Sequence, residues 1–415
     1  MQKRFTSVGG RPVETGLSDG VRCGQMVWVG GRLALAEDGT AEHPGDLAAQ
    51  TRSALDGAGR VLRDLDCEPA DLVKLLCFYV DDGGGEQRFL DLVAAALPGG
   101  TRPAVTAVPV PWLPVPGAVV AVEGYAMRGV DGEPLPRTHS DPSHCSPLPG
   151  PLTTAVRSGK MIFVSAQSAV REGRPFAPGD IVEQTRQVMR QIGDTLEGFG
   201  ADFDDVVKVN RWYVGHGTAE DFEPAALACG AHFKEPGPAA TGIPLPRLSD
   251  DGQMIKIEVV AMLDESGERL TRRHVWPESL WDWTIHLPYR HGLKCHDMIF
   301  LGGQVSLNKS GHAVHPDEMP AQTRQAMVHI GTILGELGAG YADVCKMTAM
   351  YEAPGESEQH EANVVARASH FAAPGPASTE IALPALAYPA MVIEIDAFAM
   401  AAPDAPRAQD QEERS

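Results

Sequence analysis

Gln50-Thr51-Arg52 recurs as Gln184-Thr185-Arg186 and Gln322-Thr323-Arg324, at spacings of 134 and 138 residues. An Asp-x-x-Lys follows each time, at Asp71/Lys74, Asp205/Lys208 and Asp343/Lys346, with the same two spacings. Two motifs that keep register with one another twice over are not coincidence, so the chain holds three copies of one unit. Upstream of each pair lies a short apolar run, Met26–Arg32 (MVWVGGR), Met161–Gln167 (MIFVSAQ) and Met298–Gln304 (MIFLGGQ). Downstream lies another, Val122–Met127 (VEGYAM), Ile257–Met262 (IEVVAM) and Ile395–Met400 (IDAFAM).

The hydrophobic period changes in the same order inside each copy. The Met-led run is β-branched and aromatic and stops at Gly or Ser-Ala, as a buried strand does. A helix follows, with Ala326, His329, Ile330, Ile333 and Leu334 recurring at three and four, and Gly338-Ala339-Gly340 closing it. Next come a strand (72–80, 206–214, 344–351), a helix faced by Phe89, Phe222 or Val364, and two strands around a Pro-rich turn. The order β(β)αβαββ predicts an α+β fold in which each sheet carries its helices on one face. The uncovered face needs a partner, and three such sheets in one chain can supply it by closing around a common axis. The expected organisation is repeat 1 over 1–127, a connector over 128–150, repeat 2 over 151–262, a connector over 263–287, repeat 3 over 288–400 and a disordered tail over 401–415. The second connector carries Trp276, Trp281 and Trp283, which predicts that it packs on the body.

Thirty-five Lys and Arg against 55 Asp and Glu give a net charge of −20. That surplus repels phosphate backbones, and no basic run exceeds Arg272-Arg273, so nucleic acid is not an expected partner. No stretch of 18 apolar residues and no apolar leader occurs, which excludes a spanning helix and export by these tests. Seven widely spaced cysteines, without C-x-x-C or zinc spacing, read as reduced thiols of a cytoplasmic protein. The histidines 286, 291, 296, 312 and 315 lack the spacing of a zinc helix, and no metal or organic cofactor is expected.

With these motifs in order, each copy resembles a RidA/YjgF-type subunit, a family of small proteins that form homotrimers with clefts between neighbours. The resemblance covers nearly the whole chain three times. It implies a monomer acting as its own pseudo-trimer around a central sheet barrel, with three non-identical clefts; a sedimentation mass near three times the chain would count against this.

In imine-hydrolysing members an Arg before the penultimate strand clamps a substrate carboxylate, a Glu on the last strand moves a proton, and a Tyr and a Ser-Gly shape the pocket. Carried over, the resemblance nominates Glu123, Glu258 and Asp396 as catalytic, their carboxylates pointing into the clefts. For substrate binding it nominates Arg102, Gly30 and Gly31 in the first copy, Ser165 and Gln167 in the second, and Tyr289, Gly302, Gly303 and Gln304 in the third. Trp112, in a Pro-flanked loop, suits an aromatic or ring-shaped ligand, and Arg247 offers an alternative guanidinium. No copy holds the full set: Leu17 and Leu152 replace the Tyr, and Ala239 or Ala240 and Ala377 or Ser378 stand where the Arg belongs. The expected function is a cofactor-independent enzyme acting on a reactive imine, enamine or enol-type intermediate, by hydrolytic deamination or a specialised biosynthetic hydrolysis or cyclisation. The alternative is a non-catalytic ligand-binding or protective protein with degenerate clefts. An endoribonuclease, a third reading attached to this family, is disfavoured by the acidic charge.

Overall fold

The computed structural model describes residues 1–7, 15–353 and 358–404. The three copies fold alike. In each, the last strand (Val120–Met127, Ile255–Met262, Ile393–Met400) lies mid-sheet, antiparallel to the Met-led strand on one side and to the strand after the first helix on the other. The penultimate strand (Ala104–Pro109, Ala239–Leu245, Ala377–Leu383) runs parallel at the sheet's edge. Helices Leu47–Asp64, Ile181–Glu197 and Met319–Glu336 bury their apolar stripes on one face. Gly338, at φ +73, takes the left-handed conformation that ends the third of them.

The connectors do more than link. Arg137–Ser140 pairs with Ala155–Ser158 and Arg272–Val275 with Gly292–Cys295, as the N-terminal Lys3–Thr6 pairs with Gly20–Cys23. Each sheet therefore gains an outer strand from the segment preceding its repeat. The second connector packs as expected: Trp281 is buried, and Trp276 stacks on His291 at 4.0 Å. Of the tail, residues 405–415 lie outside the described residues.

An exposed edge strand is a liability, and here each is covered by the next repeat. Bridges Ala104↔Thr153, Ala239↔Arg290 and Ser18↔Ala377 join repeat 1 to 2, 2 to 3 and 3 to 1. The sheets share one apolar centre, to which Trp28, Tyr125, Phe163, Val207, Phe300 and Phe398 contribute from all three copies.

The two repeating motifs now have physical roles. Gln50 donates to the Glu42, His43 and Gly117 carbonyls and accepts from Val119 N–H, which ties the first helix to the entry of the last strand. Gln184 and Gln322 do the same with Met254 and Val392. The arginines beside them, Arg52, Arg186 and Arg324, are exposed, and Arg186 pairs with Glu183 of its own helix at 2.6 Å. In Asp-x-x-Lys the aspartate binds the backbone N–H that opens a short helical turn, as Asp71 does for Glu68 and Asp343 for Gly340. The lysine three residues on turns to the molecular axis.

Candidate active site

Those lysines explain the last-strand carboxylates. Lys74 pairs with Glu258 at 2.8 Å, Lys208 with Asp396 at 3.2 Å and Lys346 with Glu123 at 2.8 Å, each pair joining one repeat to the next. Thr106 donates to Glu258 at 2.6 Å and Asn210 at 2.9 Å; Thr241 reaches Asp396 at 3.3 Å; Thr348 and Tyr125 donate to Glu123. All three carboxylates are buried. Glu123, Glu258 and Asp396 thus lie where repeats meet, toward the axis, each held in a buried ion pair with a lysine of the neighbouring repeat, and these pairs cement the ring of repeats.

The other nominated residues scatter. Arg102 is half exposed and pairs with Asp141 of the first connector at 2.6 Å, whereas Glu123 contacts repeat 3, so the two do not share a cleft. Trp112 donates to the Ala353 carbonyl at 2.7 Å and ties repeat 1 to repeat 3. Gly30 and Gly31 lie where Ser378 and Thr379 press against the strand; a Cβ on Gly30 would come within 2.6 Å of the Ser378 carbonyl, so close approach of the edge explains that glycine. Arg247 is exposed and pairs with Asp81 across the repeat 1/2 boundary at 3.2 Å. Ser165 and Gln167 line an open cavity at that same boundary. The strand register also places Gly237 and Gly375, two residues before Ala239 and Ala377, opposite Arg102 in the other copies.

The third copy's residues do converge, at the boundary of repeats 2 and 3. Gly303 N–H donates to the Ala240 carbonyl at 3.0 Å, and Gly302 lies against the same edge. Gln304 accepts from Trp281 Nε1 at 3.3 Å and contacts His291, whose ring burial holds neutral by pushing its pKa down to about 4. Tyr289 is buried, and the Arg211 guanidinium lies over its ring at 5.1 Å and over Phe222 at 5.2 Å.

Three residues absent from the sequence-based set complete this place. Arg211 is 2 % exposed, yet its Nε and Nη1 bond to nothing among the described residues. The Tyr213 hydroxyl, also buried, is likewise unpartnered. Glu394, two residues before Asp396, lies against Gly303 and accepts from Gly242 N–H. Burial pushes its carboxyl up to about 8, with the Asp396 charge adding to the effect and Lys208, Arg211 and the Gly242 amide only partly opposing it. Gly242 lies close to both: its N–H bonds Glu394, and a Cβ there would meet Arg211 Nη2 at 3.0 Å. An orphaned buried guanidinium beside a carboxyl that stays protonated at neutral pH is costly for stability alone, and such groups concentrate at functional sites.

The equivalent places in the other clefts are filled. Where the 2/3 cleft has Arg211 and Glu394, the 1/2 cleft has Cys77 and Lys256, and Lys256 is saturated by Glu86 at 2.5 Å and the Ala107 carbonyl at 2.8 Å. The 3/1 cleft has Ala349 and Ala121, and buried Arg367 is taken up by Asn363, Ser378 and Glu380. Among the described residues no cluster suits a metal ion, all seven cysteines are free, and no helix is long and apolar enough to cross a membrane.

Gly303→Ala tests the geometry of the acid. A methyl group there would fall on the Glu394 carboxyl oxygen, so the variant is expected to fold with a displaced Glu394 and to lose turnover at least as severely as removal of the carboxyl itself, read by steady-state kinetics beside circular dichroism.

Comparison with known proteins fits this architecture. The family model described as Endoribonuclease L-PSP matches residues 10–128, 146–263 and 284–401. The mitochondrial protein mmf2 of Schizosaccharomyces pombe is 35 % identical over 114 residues, which cover 27 % of this chain and 87 % of that protein. The 2-iminobutanoate/2-iminopropanoate deaminase of Mus musculus is 27 % identical over 114 residues, 27 % of this chain and 82 % of its own. A chorismatase crystal structure superposes with a TM-score of 0.53 over 80 % of this chain and 93 % of that one, at 13 % identity, which is a likeness of fold. With three matches spanning most of its length, the chain belongs to the RidA/YjgF family, the family of the Endoribonuclease L-PSP model, and carries its domain three times.

Proposed function

We infer that the chain is a cofactor-independent enzyme acting on a small unsaturated carboxylate of imine, enamine or enol type, and that the cleft between repeats 2 and 3 is its working site. The observation that carries this reading is the unmatched Arg211 guanidinium beside the raised carboxyl of Glu394. Relatives named as 2-iminopropanoate deaminases supply the reaction class.

The substrate carboxylate binds the Arg211 guanidinium, replacing a buried unpaired charge with a charge-assisted pair. Glu394, protonated, donates to the imine nitrogen and makes its carbon electrophilic. Water adds to that carbon, and the Glu394 carboxylate takes the proton the water loses. The carbinolamine collapses to a keto acid and ammonia, so that one imine and one water yield one ketone and one ammonia. Tyr213, with its hydroxyl held protonated by burial, supplies a hydrogen bond to the developing oxygen. For an enol or enamine substrate the same acid delivers its proton to carbon.

Ammonia release from 2-iminopropanoate, formed in situ from alanine by an amino-acid oxidase, tests the reading. Wild type is expected to exceed the buffer rate, and Arg211→Ala to lose about 10²-fold in kcat/KM, mostly through KM. A wild-type rate equal to buffer rejects imine hydrolysis. The cleft needs only this chain's own repeats, so the active species is expected to sediment near 44.3 kDa; activity confined to a species three times heavier would contradict a self-sufficient pseudo-trimer.

A further inference from the structure

The cleft between repeats 1 and 2 lacks the chemistry proposed for its neighbour, yet it is not closed. Its inner end is sealed by a satisfied network: Lys256 on Glu86, Ser249 donating to Glu86 at 3.2 Å, and Tyr79 bonded to Ser249 at 2.7 Å. Outside that seal lies a cavity of about 570 Å³, within the range of small-molecule sites. Its walls come from the helix Gly85–Ala96 of repeat 1, the first connector and the end of the Met161–Ser168 strand of repeat 2.

The lining mixes hydroxyl and amide groups with carboxylates. Glu86, Glu172 and Asp250 bring carboxylates, and no lysine or arginine lines the cavity among the described residues. Gln167 is more than nine-tenths buried and spends its Nε2 on Ser165, donating to the carbonyl at 3.1 Å and to Oγ at 3.0 Å. That leaves its Oε1 without a partner among the described residues, an acceptor in the cavity wall. Burial, then the Glu86 charge, raises the carboxyl of Asp250, and Lys256 opposes the shift. Leu90, Leu148 and Val170 supply an apolar wall beside these acceptors.

We propose that this second cleft binds a small organic amine, its ammonium facing the Gln167 Oε1 and the Asp250 carboxylate and its hydrocarbon body lying on Leu90, Leu148 and Val170. An ammonium offers three donors and one positive charge, which suits an unpartnered amide oxygen beside carboxylates in a lining without lysine or arginine among the described residues. A carboxylate ligand, suited to Arg211, is repelled here, so divergence of the copies has given one chain two clefts of opposite preference. The proposal stands independently of whether the 2/3 cleft catalyses.

Isothermal titration of the full chain with 2-phenylethylamine tests it. One saturable site is expected, weakened about fivefold by Asp250→Asn, the loss of one partly screened charge. Ser146→Trp, an uncharged change on the exposed connector at the cavity wall, is expected to abolish binding by filling the space. Absence of saturable heat with wild type, or an affinity indifferent to both substitutions, overturns the proposal.

Discussion

Glu394→Gln is expected to lower turnover of 2-iminopropanoate by about 10²–10⁴-fold while the chain remains folded, because glutamine keeps the size and the hydrogen bond to Gly242 and removes only the proton. The pH profile should carry the same signature. Burial places the Glu394 carboxyl at about 8, so its acid form dominates at neutral pH and the rate should fall on an alkaline limb near that value. In Glu394→Gln the residual rate should lose that limb. A profile unchanged by the substitution would assign the proton to another group.

The largest effect on stability is expected at the axis. Lys346 and Glu123 are both fully buried, so Lys346→Met would leave a carboxylate without its counter-ion, at a cost of about 3–5 kcal/mol. Lys346→Met combined with Glu123→Leu should recover much of that loss, since two apolar groups leave no orphaned charge. Denaturant unfolding followed by circular dichroism reads both. At Glu123 burial opposes ionisation, but the Lys346 charge and the hydrogen bonds of Lys346, Tyr125 and Thr379 more than offset it and hold the carboxyl below its ordinary 4.5. A carboxyl depressed by folding contributes stability that is fully present above that ordinary value and is lost as pH falls through the folded one. Acid should therefore loosen the wild-type ring below about pH 4.5, and the doubly apolar variant should be less sensitive there.

The fold was legible because repetition averages out local ambiguity. One Met-led apolar run could be strand or helix, but three in register with Gln-Thr-Arg and Asp-x-x-Lys admit one order of elements. What the sequence hid was which side chains the axis consumes. Side chains two apart on a strand share a face, so Glu394 and Asp396 look alike in pattern, yet one lies at Gly303 in a cleft and the other on Lys208. The distinguishing signal was present: the axial position stays acidic as Glu123, Glu258 and Asp396, as a structural pair must, while the position two before it varies as Ala121, Lys256 and Glu394. Arg211 could be found the same way. It interrupts the apolar alternation of Val207 and Val209, where the other copies hold Cys77 and Ala349. Arg102 misled because its motif is intact; only the connector's Asp141, which no pattern in repeat 1 announces, shows how it is neutralised.

The central claim is that a carboxylate binds at Arg211, between repeats 2 and 3. A crystal structure of the chain with pyruvate, the keto acid left by 2-iminopropanoate hydrolysis, tests it most directly. The account predicts the pyruvate carboxylate hydrogen-bonded to the Arg211 guanidinium with its keto carbon toward Glu394. Pyruvate bound instead at Arg102 or Arg247, with the 2/3 cleft empty, would contradict it.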